Sequence, residues 1–274
     1  MPQARLNART LFISDVHLGS KDCKAEFLLH LLKRIDVERL YLVGDIVDFW
    51  AMKKQMFWPA EHHQVLQQLL KMAKQGVEVI YIPGNHDEVM RKYRHPDVAS
   101  IRIQKQAIHT TAKNLRLLVM HGDAFDAETC HSQWLSLIGD HLYDAVMFLN
   151  RQTHKLRKKF GHNYWSLAAY VKSQVGKVEQ VIGHYRAAAV REATKRKLDG
   201  IICGHIHRPE ITPTDGKLYV NTGDWVENCT AILESADGEL HLLRYTDAAM
   251  TKATKEARAL NHSLESNNEQ QHAT

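Results

Sequence analysis

The sequence predicts an α/β fold built on a mixed sheet, and two features of the chain carry that prediction. Short runs of β-branched and other apolar residues alternate with segments in which apolar residues recur at three- and four-residue steps, as in strands followed by amphipathic helices. Later strand runs follow one another without a helix between them, which indicates hairpins. The 274 residues, 44% of them hydrophobic, suffice for one substantial core with a small added lobe.

The alternation is clearest in the first part of the chain, to about residue 123. Apolar residues from Phe27 to Ile35 mark one face of a helix, Pro59 suits the first turn of another helix, and Gly76 suits its end. The elements predicted here are strands at 10–14, 39–43, 77–82, 100–109 and 115–120, and helices at 24–35 and from Pro59 to Gly76. The strand–helix–strand pattern at the start of the chain is followed by strands without helices between them. We therefore expect parallel and antiparallel strands in one sheet.

The pattern changes between about residues 125 and 182, where apolar residues keep helical spacing without any strand pattern. This block lies between two clusters of metal-binding side chains, so we interpret it as a helical insertion, or cap, beside the site. The elements predicted after it are a helix at 185–198 and strands at 200–203, 218–221, 229–234 and 239–245, with a hairpin turn at Asp237-Gly238. We expect one domain over residues 1–247 and a polar, disordered tail over 248–274.

The composition excludes several classes of protein. No apolar run approaches the ~18 residues of a membrane-spanning helix, and the first residues lack the apolar stretch of a secretory signal. The cysteines are far apart and form no CxxC pair, so we expect reduced thiols in a cytoplasmic protein; they are Cys23, Cys130, Cys203 and Cys229. The net charge of +5 is modest, and without a long basic stripe interleaved with aromatics no nucleic-acid partner is expected.

Five short clusters of side chains that can bind metal ions recur along the chain, and each follows an apolar run. They are Asp15-x-His17, Gly44-Asp45 with Asp48, Gly84-Asn85-His86-Asp87, His121-Gly122-Asp123 and Gly204-His205-x-His207. Residues i and i+2 of an extended segment point the same way, so both ends of an Asp-x-His or His-x-His motif can face one site. Strand ends converge at one edge of an open α/β sheet, which is where such folds place their sites.

These clusters indicate a site for two divalent cations, because seven ligands exceed what one ion normally needs. Carboxylate and imidazole ligands suit Mn²⁺, with Fe²⁺ or Zn²⁺ as alternatives, better than Ca²⁺. The absence of cysteine ligands argues against a structural zinc site. A lone His121 would be an ordinary core or surface histidine, so the prediction depends on all five clusters occurring in order.

The ordered set DxH, GDxxD, GNHD, HGD and GHxH resembles the calcineurin-like metallophosphoesterase superfamily, over residues 15–207. The resemblance implies a β-sandwich flanked by helices, with the helical insertion beside the active site. It also implies the metal ligands: Asp15, His17 and His207 on one ion, Asn85, His121 and His205 on the second, and Asp45 bridging both. Two cations ~3.5–4 Å apart can clamp a phosphoryl group and lower the pKa of a bound water.

The resemblance gives further roles to residues beside these ligands. His86 would protonate the leaving group, and Asp87 would orient or polarise the imidazole of His86. We interpret Asp48 and Asp123 as residues that orient the ligands, with a helix cap as the alternative for Asp48. The segment 221–225 either lines the site or forms a tight turn.

Two segments, 13–19 and 44–50, together with the helical insertion, resemble the UDP-2,3-diacylglucosamine hydrolase branch. That resemblance implies cleavage of the pyrophosphate of a UDP-linked, doubly acylated sugar of lipid A synthesis, which releases UMP and a lipid monophosphate. The branch typically carries Arg where this chain has His86, and Arg stabilises charge without easily giving up a proton. A metal-dependent phosphodiesterase or phosphatase acting on a soluble nucleotide or other phosphoester is therefore the alternative. A nuclease and a non-catalytic scaffold are further alternatives.

The insertion suggests how an amphiphilic substrate would bind. Its apolar residues could line an acyl groove, and its basic residues could face phosphates or an anionic membrane; they are Trp134, Leu135, Leu142, Met147, Phe148, Phe160 and Trp165, and Arg151, Lys155, Arg157, Lys158 and Lys159. On this hypothesis the protein is cytoplasmic and peripheral at the inner membrane. The alternative is a small lobe whose apolar stripes pack on each other and whose charges are solvated.

Overall fold

Two mixed β-sheets form the centre of the computed structural model, which describes residues 5–93, 100–126, 152–153, 157 and 176–246. The strands in chain order are β1 Leu6–Ile13, β2 Ile35–Leu42, β3 Glu78–Tyr81, β4 Ile101–Ile103, β5 Ala107–Thr110, β6 Arg116–Val119, β7 Gly200–Cys203, β8 Glu210–Thr214, β9 Lys217–Asn221, β10 Thr230–Glu234 and β11 Leu240–Arg244. The helices of the described chain are α1 Ala25–Leu32, α2 Phe49–Lys54, α3 Ala60–Lys74 and α4 Gly176–Lys195, with short 3₁₀ helices at Glu88–Lys92 and Asp123–Phe125.

The first sheet has six strands in the order β11-β10-β1-β2-β3-β4, and the second has five in the order β5-β6-β7-β9-β8. Strands β1 to β4 run parallel to one another, and so do β6, β7 and β9. Antiparallel strands complete both sheets at their edges. Both sheets therefore contain parallel strands, and the predicted metal-binding clusters follow the carboxyl ends of these strands.

The packing has four layers, helix on sheet on sheet on helix. Side chains from the facing surfaces of the two sheets pack together, for example Phe12 and Ile80 of the first sheet with Val119 and Ile202 of the second. A second apolar cluster joins the outer face of the first sheet to α1 and α3. A third joins the outer face of the second sheet to α4. The strand runs are continuously apolar because both faces of each central strand are covered.

Most predicted elements are found, and their boundary signals work as expected. Pro59 is the N-cap of α3, and Gly76 takes a φ of +97° just beyond its end. The hairpin at Asp237-Gly238 joins β10 to β11, with Gly238 at a φ of +85°. Ile35 is a correction, because it begins β2 rather than ending α1.

The predicted strand over 100–109 is wrong as a single element. The chain forms β4, which pairs with β3 in the first sheet, and then β5, which pairs with β6 in the second. Gln104-Lys105-Gln106 interrupts the apolar pattern at the point where the chain leaves one sheet and enters the other.

Three other elements differ from the prediction. The segment after Asp48 forms the short helix α2, which is not among the predicted elements. Strand β8 is not among them either; it contains Pro213, which is tolerated because β8 is an edge strand. Helix α4 runs unbroken through Gly183, so the last turn of the predicted insertion and the helix predicted at 185–198 are one element.

Most of the predicted insertion, about residues 125–182, lies outside the described residues, and so do the tail 248–274 and Cys130. The extent of the domain and of the insertion therefore stays a prediction. The three described cysteines are free thiols. None of the described helices combines the length and the apolar character needed to cross a membrane.

A buried carboxylate joins the two sheets away from the strand ends that carry the clusters. Glu234 of β10 is fully buried and accepts four hydrogen bonds, from Thr10 Oγ1 at 2.7 Å, His109 Nε2 at 2.8 Å, the Ala112 amide at 2.8 Å and Arg9 Nη1 at 2.6 Å. Burial alone raises the pKa of Glu234, but these donors outweigh burial and hold the pKa at about 2. Because His109 lies on β5, the carboxylate ties the first sheet to the second.

We expect Glu234→Gln to lower the free energy of unfolding by about 1.5–3 kcal/mol at neutral pH, since charge-assisted hydrogen bonds are lost. The pKa of Glu234 is lower folded than its ordinary value of 4.5, so the unfolded chain binds more protons at acid pH. The stabilisation is thus complete above about pH 5 and lost as the pH falls toward about 2. Urea unfolding of both proteins across this range measures it.

Glu239→Gln is the matched control, because Glu239 is exposed and pairs with Lys113 at the surface. Its effect should stay within about 0.5 kcal/mol. A Glu234→Gln variant as stable as this control at neutral pH would contradict the role given to the buried carboxylate.

Candidate metal centre

The five predicted clusters meet at the edge where the parallel strands of both sheets end. Their loops follow five strands in turn: Asp15 and His17 follow β1, Asp45 follows β2, Asn85 follows β3, His121 follows β6, and His205 and His207 follow β7. Backbone hydrogen bonds tie neighbouring loops together, from the Asp15 amide to Gly44 O at 3.0 Å and from the Gly204 amide to His121 O at 3.0 Å. The site is therefore built on the ends of rigid elements.

Five of the seven predicted ligands have a left-handed backbone, which residues other than glycine rarely adopt. Their φ angles are 50° at Asp15, 55° at His17, 53° at Asp45, 71° at His205 and 53° at His207. Each such residue costs of the order of 1–3 kcal/mol and persists only where its surroundings hold it in place. Strain of this kind concentrates at functional sites, and here it concentrates on the predicted ligands.

The side chains form overlapping groups that could each hold a cation, with ligand atoms within 4.8 Å of one another. One group is Asp15, His17 and His207, and a second is Asp45, His121 and His205. A third, of His17, Asp45 and His86, links the two. The first two groups correspond to the two halves of the predicted ligand set.

Unsatisfied polar atoms test whether these residues fit divalent cations. Six buried side-chain nitrogen or oxygen atoms of the described chain have no hydrogen-bond partner, and four belong to predicted ligands: Asp15 Oδ1, His17 Nε2, Asn85 Oδ1 and His121 Nε2. A buried polar atom left without a partner costs about 1–3 kcal/mol. Lone pairs on carboxylate, amide and imidazole atoms are what a borderline divalent ion takes, so the residues fit.

The other ring nitrogen of two of these imidazoles is held by a neighbour. His17 Nδ1 lies 3.0 Å from Asp48 Oδ2, and His121 Nδ1 lies 2.8 Å from the carbonyl oxygen of Val43. This arrangement leaves Nε2 of both rings for a cation, as is usual for metal-binding histidines. Two carboxylate–imidazole contacts cross the site, from Asp15 Oδ1 to His207 Nε2 at 3.2 Å and from Asp45 Oδ2 to His121 Nε2 at 3.3 Å.

The pKa values of these groups reflect the density of charge. Burial raises the pKa of Asp15, but the charge and contact of His207 together with the charge of His121 outweigh burial, and the pKa falls to about 2. Burial lowers the pKa of His17, but its hydrogen bond to Asp48 and the charges of Asp45 and Asp15 raise the pKa to about 9. Burial lowers the pKa of His121, but the charge and contact of Asp45 together with the charge of Asp15 outweigh burial and raise the pKa. The carboxylates thus attract cationic partners, whether protons or metal ions.

His86 lies beside these ligands with one edge exposed. Its Nδ1 is 2.9 Å from Asp48 Oδ1, so one carboxylate holds both His86 and the ligand candidate His17. Asp48 Oδ1 also accepts the Ala51 amide at 2.7 Å as the N-cap of α2, so both predicted readings of Asp48 hold. The ring of Trp50, 42% exposed, packs against His86 with 4.4 Å between ring centroids.

The expectation for Asp87 is corrected by its contacts. Asp87 Oδ2 accepts the Tyr81 hydroxyl at 2.5 Å and the Ile46 amide at 2.7 Å, and Oδ1 accepts the Gly84 amide at 2.6 Å. These bonds turn the Asp87 carboxylate toward the buried backbone, and Asp48 contacts the imidazole of His86 instead. Asp87 therefore fixes the loops after β2 and β3 to each other.

Two further predictions concern the surroundings of the ligands. Asp123 pairs with Arg91 Nη2 at 2.7 Å, which joins the loop after β6 to the 3₁₀ helix after Asp87. The segment 221–225 both turns and packs on the site, since Asn221 Nδ2 donates to Gly204 O at 2.7 Å and the Trp225 amide donates to Asp15 O at 3.0 Å. The predicted acyl-groove residues lie outside the described part of the chain.

Sequence reasoning missed three residues at the site. Trp50 packs on His86, Tyr185 of α4 stacks near His205 with 6.2 Å between ring centroids, and Asp126 Oδ1 lies 2.8 Å from His205 Nε2. Trp50 and Asp126 lie within a few residues of a motif, which could have drawn attention to them. Nothing in the sequence links Tyr185 to His205.

Comparison with known proteins gives consistent matches. The family model for calcineurin-like phosphoesterases matches residues 8–209. A UDP-2,3-diacylglucosamine hydrolase of Vibrio cholerae is 25% identical over 253 aligned residues, covering 86% of this chain and 98% of that protein. Another, of Psychromonas ingrahamii, is 25% identical and covers 82% and 92%. Among solved structures, a hypothetical protein of Pyrococcus horikoshii is 11% identical, covering 92% of this chain and 94% of its own, with a TM-score of 0.47.

The family match includes all five clusters, and it defines the class of protein: a metal-dependent hydrolase that acts on phosphorus–oxygen bonds. Within that class, the chain belongs to the calcineurin-like phosphoesterase family. The family implies divalent metal ions, for which the two groups of side chains are candidate ligands.

Gly84 gives a test of the site geometry, because a Cβ there would collide with Asp45 Oδ1 and stand 2.6 Å from His121 Cδ2. We expect Gly84→Ala to displace both side chains. Wild-type protein should gain about 2.7 kcal/mol of stability from each ion at 100 times its Kd, and the variant should lose most of this gain. Thermal unfolding with Mn²⁺ and with a chelator measures the difference.

Gly183→Ala is the matched control, since a Cβ at Gly183 meets no atom within 4 Å. It should keep the full response to Mn²⁺ and gain about 0.5–1 kcal/mol from better helix propensity. If Gly84→Ala responds to Mn²⁺ as this control does, the site is not formed as described.

Proposed function

We propose that this chain hydrolyses the pyrophosphate of a UDP-2,3-diacylglucosamine-like nucleotide lipid, giving UMP and a lipid phosphate. The observation that supports hydrolysis is the pair of side-chain groups that could each hold a cation, with His86 in the third group that links them. The substrate is supported by relatives named UDP-2,3-diacylglucosamine hydrolase, which align with 82–86% of this chain.

The proposal assigns the metal ligands in two sets. Asp15, His17 and His207 hold one divalent ion, and His121, His205 and Asn85 hold the other, with Asp45 between them. Two observations support this assignment: the ligand atoms of each group lie within 4.8 Å of one another, and Asn85 Oδ1 is buried without a hydrogen-bond partner. Mn²⁺ is the proposed metal, because these oxygen and imidazole atoms suit a borderline ion; Fe²⁺ and Zn²⁺ are the alternatives. When bound, such a pair supplies Lewis-acid polarisation of the phosphoryl oxygens and lowers the pKa of water.

His86 is the proposed general acid. Asp48 holds His86 Nδ1, which fixes the ring and leaves Nε2 to carry the transferable proton. A bond forms from the water oxygen to phosphorus as the bond from phosphorus to the departing oxygen breaks. Nε2 gives its proton to the departing oxygen, and the proton that water loses restores the His86 ring. Asp48 also holds His17, so one carboxylate sets the position of the acid relative to a metal ligand.

The second candidate is a phosphodiesterase or phosphatase that acts on a soluble nucleotide, and the His86–Asp48 pair favours it. An alcohol leaving group is far more basic than a phosphate, whose last pKa is about 6, so it needs a proton more. A proton donor at position 86 therefore suits an alcohol leaving group better than it suits a pyrophosphate.

Peripheral contact with an anionic membrane is part of the proposal for a lipid substrate. Seven large apolar side chains of the described residues are exposed, and four of them lie in segments 49–56 and 88–93, which follow Asp48 and Asp87. These four are Trp50, Met56, Val89 and Tyr93. The exposed Lys53 and Lys54 lie on α2, in the first of these segments. Apolar side chains flanked by lysines are typical of surfaces that bind the membrane interface.

Turnover of three substrates tests the substrate assignment: UDP-2,3-diacylglucosamine in anionic vesicles, bis-p-nitrophenyl phosphate and p-nitrophenyl phosphate, each with Mn²⁺. We expect the nucleotide lipid to have the highest kcat/KM and the protein to sediment with the vesicles. Asp45→Ala should abolish turnover of all three, because Asp45 belongs to both proposed metal sites. Hydrolysis of the soluble esters alone would establish the second candidate, and protein left in solution would contradict the membrane contact.

His86→Ala should lower kcat by roughly 10²–10⁴-fold on a diester with a basic leaving group and leave the Mn²⁺ content unchanged. The loss should be smaller on the pyrophosphate, because its leaving group needs less protonation. His63→Ala is the matched control, since His63 is an exposed histidine of α3. Equal kcat in His86→Ala and the control would remove His86 from the chemistry.

A further inference from the structure

Four histidines of the site make a hydrogen bond through a ring nitrogen, and they divide into two kinds by which nitrogen makes it. In His17, His86 and His121 this nitrogen is Nδ1, held by Asp48 or by the Val43 carbonyl. A nitrogen that donates its N–H to such a neighbour cannot bind a cation, so these rings present Nε2.

His205 is of the other kind. Its Nε2 lies 2.8 Å from Asp126 Oδ1, in a contact where the side chain of His205 is 8% exposed and that of Asp126 30% exposed. The backbone of His205 is fixed separately, by a φ of 71° and by its N–H, which donates to Asp15 Oδ2 at 3.0 Å. The contact with Asp126 therefore bears on the orientation and tautomer of the ring rather than on the path of the loop.

Asp126 is well placed to hold that ring. It follows the 3₁₀ helix Asp123–Phe125, which begins just after the ligand candidate His121. The Phe125 ring is buried against Tyr185, with 5.5 Å between ring centroids, and the Phe125 amide donates to Gly122 O at 3.0 Å. The segment that carries Asp126 is thus anchored on the core beside His205.

Asp126 does not belong to the group of ligand atoms formed by Asp45, His121 and His205, all within 4.8 Å of one another. Its contact in that group is with Nε2 of the His205 imidazole. Metal-binding histidines commonly donate the N–H of the other ring nitrogen to a carboxylate. Such a carboxylate fixes the tautomer of the imidazole and raises the basicity of the imidazole.

We propose that Asp126 is a positioning residue of the metal centre: it holds the proton of His205 on Nε2, so that His205 binds its cation through Nδ1. The proposal rests on the proposed function in that it takes His205 as a metal ligand. Asp126 touches neither substrate nor metal. It acts through His205, and only one of the two ions should depend on it.

Calorimetric titration of the metal-free protein with Mn²⁺ tests this proposal. Wild-type protein should bind two ions, and Asp126→Ala should weaken one of them by about 10–100-fold while the affinity of the other is unchanged. Asp126→Asn keeps an oxygen that accepts the Nε2 proton and should recover much of the loss. Asp237→Ala, which removes one exposed carboxylate on a distant hairpin turn, is the control for charge.

The ring itself gives a second readout. Nitrogen-15 NMR of labelled histidine should find the proton of His205 on Nε2 in metal-free wild-type and Asp126→Asn protein, and shared between both nitrogens in Asp126→Ala.

Unchanged tautomer and unchanged affinities in Asp126→Ala would overturn the inference. So would loss of a whole ion that Asp126→Asn fails to restore, because Asp126 would then be a ligand. Wild-type protein that binds no ion contradicts the proposed function, and the tautomer of metal-free protein still decides the role of Asp126.

Discussion

The hydrogen bond from the His205 amide to Asp15 Oδ2, 3.0 Å long, joins the loop of one sheet to the loop of the other, and the site depends on this junction. Asp15 follows a strand of the first sheet and His205 a strand of the second, and each contributes to a different cation group. Gly204 makes the approach feasible, because a Cβ there would collide with Asp15 Oδ2 and stand 2.7 Å from Ser14 Cβ. The two groups can therefore share an edge only while both sheets keep their relative position, which the side chains packed between them maintain.

The site is costly to maintain, and the surrounding structure shows how the cost is met. Left-handed residues and unpartnered buried atoms each oppose folding by about 1–3 kcal/mol. Two apolar layers extend from the outer faces of the sheets into the ligand loops, through Val16 and Ile46 in one layer and Ile206 in the other. With the buried Glu234 network they stabilise the sheets that carry these loops. Carboxylates such as Asp87 and Asp224 bind backbone amides at 2.5–2.8 Å and fix the loops locally. Four atoms of the predicted ligands are left without a hydrogen-bond partner, and their lone pairs are what a divalent cation takes.

Sequence reasoning found the ligand candidates because each depends on local order: an apolar strand, then a short motif at its carboxyl end. It named Asp48 as an orienting residue but could not say that Asp48 meets His86, 38 residues away, and it missed Asp126, which meets His205 across 79 residues. The error at Asp87 has the same origin, because adjacency in sequence to His86 suggested a contact that the turn of the backbone prevents. The split of the strand at 100–109 did have a local signal, because the three polar residues Gln104-Lys105-Gln106 interrupt the apolar pattern between β4 and β5. Local pattern thus predicts elements and ligands, whereas tertiary packing decides what holds them.

The His86–Asp48 pair bears on which phosphoester the family chemistry serves here. A side chain that must only stabilise charge gains nothing from a carboxylate at 2.9 Å, since the carboxylate offsets its charge. A side chain that must deliver a proton gains a fixed orientation and a defined tautomer from the same contact. The carboxylate therefore supports the proposed role of His86 as a general acid. On that proposal a basic leaving group benefits most from the proton, and the departing oxygen, more than the nucleotide, is the feature of the substrate on which this pair acts.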